Sequence, residues 1–168
     1  MNNGGPCAKL IKKSIILDHK LYFLEHHIYE DIAVVPVYAL YASNIVHISN
    51  PFYNYMIYPG STMHQQTYHK KLEDIFSSME TLSNHFTDTK YCDELEFLYI
   101  KHLLHAASLR FWKFKEGKDS LIKIVSIMRK KYPHWNKNKY YQKRSLKFKI
   151  VCECFYHKQY WLLRLLLK

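Results

Sequence analysis

The stretch Tyr29-Glu30-Asp31-Ile32-Ala33 places two adjacent carboxylates at the start of an apolar run that continues to Ser43. Pro36 falls close enough to the start of this run to be tolerated in a helix. Acidic residues in this position commonly cap a helix and interact with its dipole, and they can also face a cleft. Apolar residues at spacings of three and four, with further apolar residues that widen the stripe, predict a largely buried helix over residues 31–43. The stripe consists of Ile32, Val35, Ala39 and Ala42, and it is widened by Val34, Val37 and Leu40.

The residues around this helix predict short strands. Residues 45–61, IVHISNPFYNYMIYPGS, contain two apolar and aromatic runs that are separated at Asn50-Pro51 and closed by Pro59-Gly60. Proline and glycine punctuate strands in this way, so two short strands and a turn are expected. Residues 20–23 predict a further strand.

Beyond a border near residues 63–67 the pattern is helical only. Apolar spacings of three and four predict helices over residues 68–88, 92–109 and 119–131, followed by a helical tail in two pieces that meet near His157. The predicted fold class is therefore α+β and mostly helical. Two domains are expected, residues 1–66 with the short strands and one helix, and residues 67–168 as a basic helical extension.

Composition describes a globular chain. With 168 residues, of which 48% are hydrophobic, it can fill one ordinary core or two small ones. The four cysteines are scattered and lack the paired spacing of a structural zinc site, which favours free thiols in a reducing, cytoplasmic compartment. No window reaches the roughly 18 apolar residues of a membrane span, and no targeting segment is recognisable.

The positive charge is concentrated toward the end of the chain. The formal net charge is +11, and the segment from Arg129 onward contains twelve basic residues and a single acid, Glu153. Such a segment favours anionic partners, either nucleic acid or phospholipid headgroups, and it can also be a solvated helix face.

Taken together, the Glu30-Asp31 pair, the helix after it and the aromatic run that ends at Gly60-Ser61 resemble the acceptor-side half of an inverting family 2 glycosyltransferase of bacterial surface polysaccharide synthesis. The resemblance implies the C-terminal, acceptor-side part of a GT-A fold followed by a helical extension. It implies that Asp31 is the base that deprotonates the acceptor hydroxyl and that Glu30 is its neighbour. It also implies an acceptor side lined by Tyr53, Tyr55, Tyr58 and Ser61.

The chain departs from that family in two respects. The family usually carries an arginine in the aromatic run, where this chain has Met56 and Tyr58. The Rossmann-like donor half is missing, and with it the Asp-x-Asp motif that holds the divalent cation, Mg²⁺ or Mn²⁺, expected for the family. The resemblance therefore implies a C-terminal portion from a truncated or split gene. With a donor half it would transfer sugar from a nucleotide sugar to a lipid-linked or polysaccharide acceptor, and alone it is expected to be inactive.

Two alternatives concern the basic residues. A small helical module could bind nucleic acid through residues 137–149, but the aromatic run lacks interleaved cations, so no nucleic acid partner is expected. Residues 143–168 alternate apolar and cationic groups at helical spacing, and we expect them either to lie on an anionic membrane surface, with the protein peripheral on the inner face of the cell membrane, or to pack on the other helices.

Histidines and a second acidic pair complete the candidates. His102 and His105 share a helical face and would need Asp93 or Glu94 as a further metal ligand, but packed or surface histidines are the commoner case. His64, after the Gly-Ser turn, is a slightly better metal or phosphate ligand. No metal site is predicted. The pair Glu73-Asp74 lies within an amphipathic helix and is assigned to a solvated face.

Overall fold

The computed structural model describes residues 5–54, 56, 67–87 and 89–166, with side chains up to residue 165. Within these residues the regular structure is helical and contains no β-strand. The chain forms two compact units, Met1–Thr87 and Asp88–Lys168. The predicted border after residue 66 falls inside the first unit, because the helix that follows it packs onto the helix that begins at Glu30.

The first unit is built around two packed helices. A 3-10 turn, Pro6–Ala8, precedes α1 (Lys13–Asp18), and α2 spans Glu30–Tyr41. A second 3-10 turn, Lys70–Glu73, leads directly into α3 (Asp74–His85). The predicted helix over residues 31–43 is thus confirmed as α2, and the predicted helix over residues 68–88 is confirmed as α3 with its leading turn.

The core of this unit lies between α2 and α3. Ala33 and Val37 on α2 are fully buried, as is Leu82 on α3. Apolar spacings of three and four place these residues on one face of each helix, and burial of each Val, Leu or Met side chain stabilises the fold by about 1.5–3 kcal/mol. The Tyr38 hydroxyl donates to the carbonyl oxygen of Leu21 at 3.2 Å, which ties the chain before α2 to the helix.

The predicted strands are not formed in the described part of the chain. Residues 20–23, 45–54 and 56 have no regular structure, and Ile45 and Val46 are 72% and 80% exposed. The α+β prediction was wrong for these residues, since a strand needs a neighbour to satisfy its backbone groups and local alternation cannot supply one. Residue 55 and residues 57–66 lie outside the described residues, so the prediction for the Pro59-Gly60 turn is not tested.

The second unit is a bundle of short helices. A continuous helical run consists of α4, a π-helical segment and α5, and it is followed by two 3-10 turns and four further helices. Their bounds are α4 Cys92–Tyr99, the π-helical segment Ile100–Ala107, α5 Ser108–Trp112, the turn Lys115–Gly117, α6 Lys118–Lys131, the turn Trp135–Lys137, α7 Lys139–Gln142, α8 Leu146–Tyr156 and α9 Tyr160–Leu166.

Large apolar side chains fill the centre of this bundle. Ile100, Leu103 and Leu104 of the π-helical segment are fully buried, and Trp135 in the connection after α6 is 2% exposed. Asn138 joins distant parts of the unit. Its Nδ2 donates to the Asp93 carbonyl oxygen at 2.8 Å and to Glu96 Oε2 at 2.7 Å, and its Oδ1 accepts from the amides of Tyr140 and Tyr141 in α7. A fully satisfied buried amide of this kind specifies one arrangement of the connected helices.

The sequence predictions for this unit hold for helix positions. The helix predicted over residues 119–131 is α6, and the tail forms two pieces that meet at His157, the residue after α8. The four cysteines form no disulfide, and burial raises the pKa of the Cys152 and Cys154 thiols. None of the described helices is both long and apolar enough to cross a membrane.

Candidate active site

The loop that leads into α2 has an uncommon backbone. Lys20, His26 and Tyr29 all adopt positive φ angles, and Tyr29, which directly precedes α2, has φ 70° and ψ 21°. Residues other than glycine adopt this region in only a few per cent of cases. The conformation costs on the order of 1–3 kcal/mol, and it persists only where the surrounding structure holds it. Local sequence preference therefore does not explain the shape of the loop.

Glu30 and Asp31 occupy the first turn of α2, and both are half-buried. Asp31 Oδ1 accepts a hydrogen bond from the amide of Ile32 at 2.9 Å. Within the described part of the chain Asp31 forms no ion pair. The negative charges lie at the positive end of the helix dipole, as predicted. Packing of the buried face of α2 fixes the position of the helix that carries them.

The second acidic pair was placed incorrectly on a solvated face. Asp74 and Glu73 are half-buried, and Asp74 Oδ2 accepts a hydrogen bond from the backbone amide of Ile28 at 3.1 Å. Glu73 Oε1 accepts from the Tyr68 hydroxyl at 2.7 Å. Because α3 packs against α2, Asp74, the first residue of α3, reaches the loop that precedes α2. Its hydrogen bond holds that loop at Ile28, directly before Tyr29. No signal in the local sequence marks this contact across 46 positions.

The predicted acceptor-side tyrosines are only partly described. Tyr53 is 48% exposed in the irregular segment after α2, next to Phe52, which is 80% exposed. Tyr55, Tyr58 and Ser61 lie outside the described residues, so their placement relative to Asp31 is not tested. An exposed aromatic ring offers an apolar face with a polar edge, which is the chemistry that packs against a sugar ring.

Two aromatic residues near α2 were not singled out from the sequence. Tyr22 is 59% exposed and Phe23 is 42% exposed, although they follow the buried Leu21. Phe23 contacts Tyr38 of α2 edge-on, with ring centroids 6.4 Å apart. The exposure of several aromatic rings in this one unit is a property that only the folded chain reveals.

The histidine pair is packed. Burial, together with the charge of Lys101, lowers the pKa of His102 to about 4. Burial also lowers the pKa of His105 to about 4, and its ring stacks on Phe148 with centroids 4.2 Å apart. Among the described residues no group of three His, Cys, Asp or Glu side chains is close enough to hold a metal ion. His64 lies outside those residues.

The basic charge belongs to the second unit. Residues 1–87 contain six Lys and Arg against seven Asp and Glu, whereas residues 88–168 contain nineteen against seven. Some of these cations are used internally: Lys139 Nζ lies 2.9 Å from Asp93 Oδ2, and Lys149 Nζ donates to the Gln142 carbonyl oxygen at 2.7 Å. Both belong to residues 137–149, the segment of the nucleic-acid alternative, so fewer free cations remain there than the sequence suggests.

Comparison of the chain with family models, with curated proteins and with solved structures found no match in any of the three.

Proposed function

We propose that this chain forms the acceptor-side part of an inverting family 2 glycosyltransferase, in which Asp31 is the general base for the acceptor hydroxyl. The observation that carries the proposal is the position of the Glu30-Asp31 pair. Both carboxylates lie in the first turn of α2, which has a buried face, and Tyr29 directly before it has a left-handed backbone conformation. Asp74 accepts a hydrogen bond from the Ile28 amide in the preceding loop. Strained backbone that the surroundings hold in place is concentrated at functional sites.

The chemistry follows from the carboxylate. In the described contacts Oδ1 accepts the Ile32 amide, which leaves Oδ2 of Asp31 to accept a proton. In the proposed step the acceptor oxygen forms a bond to the anomeric carbon, its proton moves to Asp31, and the bond to the nucleotide diphosphate breaks on the opposite face. A correctly placed base of this kind contributes about 10²- to 10⁴-fold in rate.

Glu30 and Tyr53 take supporting roles in this proposal. Glu30 orients the entry to α2 or contacts the acceptor, and the exposed ring of Tyr53 packs against a sugar. The divalent cation of the family does not fit the residues described here, since no Asp-x-Asp motif and no cluster of three ligands is found among them. No step is therefore derived through a cation, and the nucleotide sugar is assigned to a donor half that would complete the enzyme.

Acceptor binding tests the proposal with the chain as it is. The isotope-labelled protein is titrated with a panel of oligosaccharides and of short-chain lipid-linked saccharides, and amide shifts are followed by NMR. We expect at least one acceptor to shift residues 29–32 and Tyr53. Asp31→Asn should weaken that binding about tenfold, because a hydrogen bond to a charged group is lost. Asp18→Asn, an exposed acid on α1, is the matched control.

The two outcomes are distinct. Shifts at residues 29–32 that Asp31→Asn weakens and Asp18→Asn does not would support the assignment. Absence of shifts at these residues with every acceptor of the panel would exclude Asp31 from the acceptor site. Equal acceptor affinities of the wild type, Asp31→Asn and Asp18→Asn would exclude it as well. In an enzyme that also contains a donor half, Asp31→Asn should lower kcat by about 10²- to 10⁴-fold with little change in KM for the nucleotide sugar.

A further inference from the structure

The last described helix exposes one apolar face and buries the other. On α9, Leu163 is fully buried, whereas Trp161 is 66% and Leu165 is 64% exposed. At about 100° per residue Trp161, Arg164 and Leu165 fall within one arc of the helix, and Leu163 lies on the opposite side. The packing of Leu163 therefore determines which residues face outward.

This apolar surface continues onto α8. Leu146 and Ile150 of α8 and Leu162 of α9 line an open groove with a volume of about 430 Å³. Leu146 at the start of α8 is 72% exposed. Leu162 directly follows Trp161 in α9, so the groove and the outward face of α9 are neighbouring surfaces. We call these two surfaces together the α8–α9 face.

The surroundings of the α8–α9 face are cationic. The only acid in residues 137–166 is Glu153, and its carboxylate is engaged by the Tyr141 hydroxyl at 3.3 Å and by His157 Nε2 at 3.3 Å. A single, internally engaged acid does not offset the basic residues around it. Exposed basic residues lie on α8, on α9 and in the adjoining turns: Lys143, Arg144, Lys147, Lys158 and Arg164.

We infer that the α8–α9 face docks on an anionic phospholipid surface, with Trp161, Leu165 and Leu146 entering the interface and the surrounding cations contacting headgroups. Tryptophan is enriched at the boundary between headgroups and acyl chains, and each nearby basic residue strengthens binding to an anionic surface about fivefold. Leucine and tryptophan side chains gain little against a phosphate backbone, which is why a bilayer fits this face better than nucleic acid does. The inference does not depend on the proposed glycosyltransferase activity.

Vesicle co-sedimentation of the full chain tests the inference. Vesicles of phosphatidylcholine alone are compared with vesicles that also contain phosphatidylglycerol, at low and at high salt. We expect binding to the anionic vesicles that weakens at high salt and falls at least tenfold in Trp161→Gln/Leu165→Gln, because both interfacial side chains are removed. Lys147→Gln/Lys158→Gln should lower it by about 10- to 30-fold, because two contributions of about fivefold are lost.

A matched control and a second measurement separate this result from misfolding. Ile122→Gln replaces an apolar residue of α6 that is 46% exposed, and it should leave vesicle binding unchanged. Acetylation of the unsubstituted protein, mapped by mass spectrometry, should show protection of Lys147 and Lys158 by anionic vesicles but not of Lys130 on α6.

The contrary results are equally specific. Equal binding by the wild type, Trp161→Gln/Leu165→Gln and Ile122→Gln would eliminate the α8–α9 face as the docking surface, as would equal acetylation with and without vesicles. Retention of a DNA or RNA duplex at low salt, with no vesicle binding, would overturn the inference in favour of nucleic acid.

Discussion

Replacement of Asp74 by alanine should loosen the loop that enters α2. The Asp74 carboxylate accepts the Ile28 amide at 3.1 Å from a half-buried position. A hydrogen bond to a charged group is worth about 1.5–3 kcal/mol, and partial exposure to water reduces that figure, so we expect the free energy of unfolding of the first unit to fall by about 1–2 kcal/mol in Asp74→Ala. For a domain of this size the unfolding midpoint should fall by about 4–8 °C for each kcal/mol.

Asp74→Asn separates two contributions of the carboxylate. Asparagine keeps a side-chain oxygen that can accept the Ile28 amide, but it loses the charge at the start of α3, which contributes about 0.3–1 kcal/mol through the helix dipole. Asp74→Asn should therefore be less destabilising than Asp74→Ala. Glu80→Ala, an exposed acid on the same helix, should change stability by no more than about 0.5 kcal/mol.

Amide hydrogen exchange followed by NMR gives the decisive readout. The Ile28 amide should exchange markedly faster in Asp74→Ala than in the wild type, while amides in the middle of α2 change only as far as the unit as a whole is destabilised. Equal protection of the Ile28 amide in the wild type, Asp74→Ala and Glu80→Ala would refute the role of Asp74 in holding this loop. The result does not depend on what the chain catalyses.

Two further predictions concern the second unit. A Cβ at Gly117 would lie 2.2 Å from the carbonyl oxygen of Phe111, so Gly117→Ala forces a backbone shift and should lower stability by about 1–3 kcal/mol in urea unfolding, whereas Glu116→Ala next to it should be nearly neutral. The pKa of His102 is lowered from 6.5 to about 4, so between these pH values the unfolded chain binds more protons than the folded one, and stability should fall as the pH drops through that window. The loss of unfolding free energy attributable to His102 is on the order of 2 kcal/mol. Measuring the free energy of unfolding of the wild type and of His102→Gln at pH 7 and pH 4.5 checks this value. Equal pH dependence of the two proteins would contradict the assignment.

Helix positions could be predicted from the sequence because helical periodicity is a local property. Spacings of three and four in the apolar residues predicted α2, α6, and α3 with its leading 3-10 turn to within a few residues, and the break in the tail lies near His157 as predicted. The same reasoning predicted the Glu30-Asp31 pair at the start of α2. Neighbouring residues form the hydrogen bonds of a helix, so short windows of sequence contain most of the information that specifies it.

Contacts between distant residues were decided only by the tertiary structure. Residues 45–49 alternate in a way that is typical of strands, yet a strand also needs a partner, and none is found in the described part of the chain. The hydrogen bond from the Ile28 amide to Asp74 and the outward orientation of Trp161 both depend on how helices pack, since α3 brings Asp74 to the loop and the burial of Leu163 sets the rotation of α9. A carboxylate or an apolar side chain has the same local signature whether it is solvated or engaged, and only its folded neighbours distinguish the two.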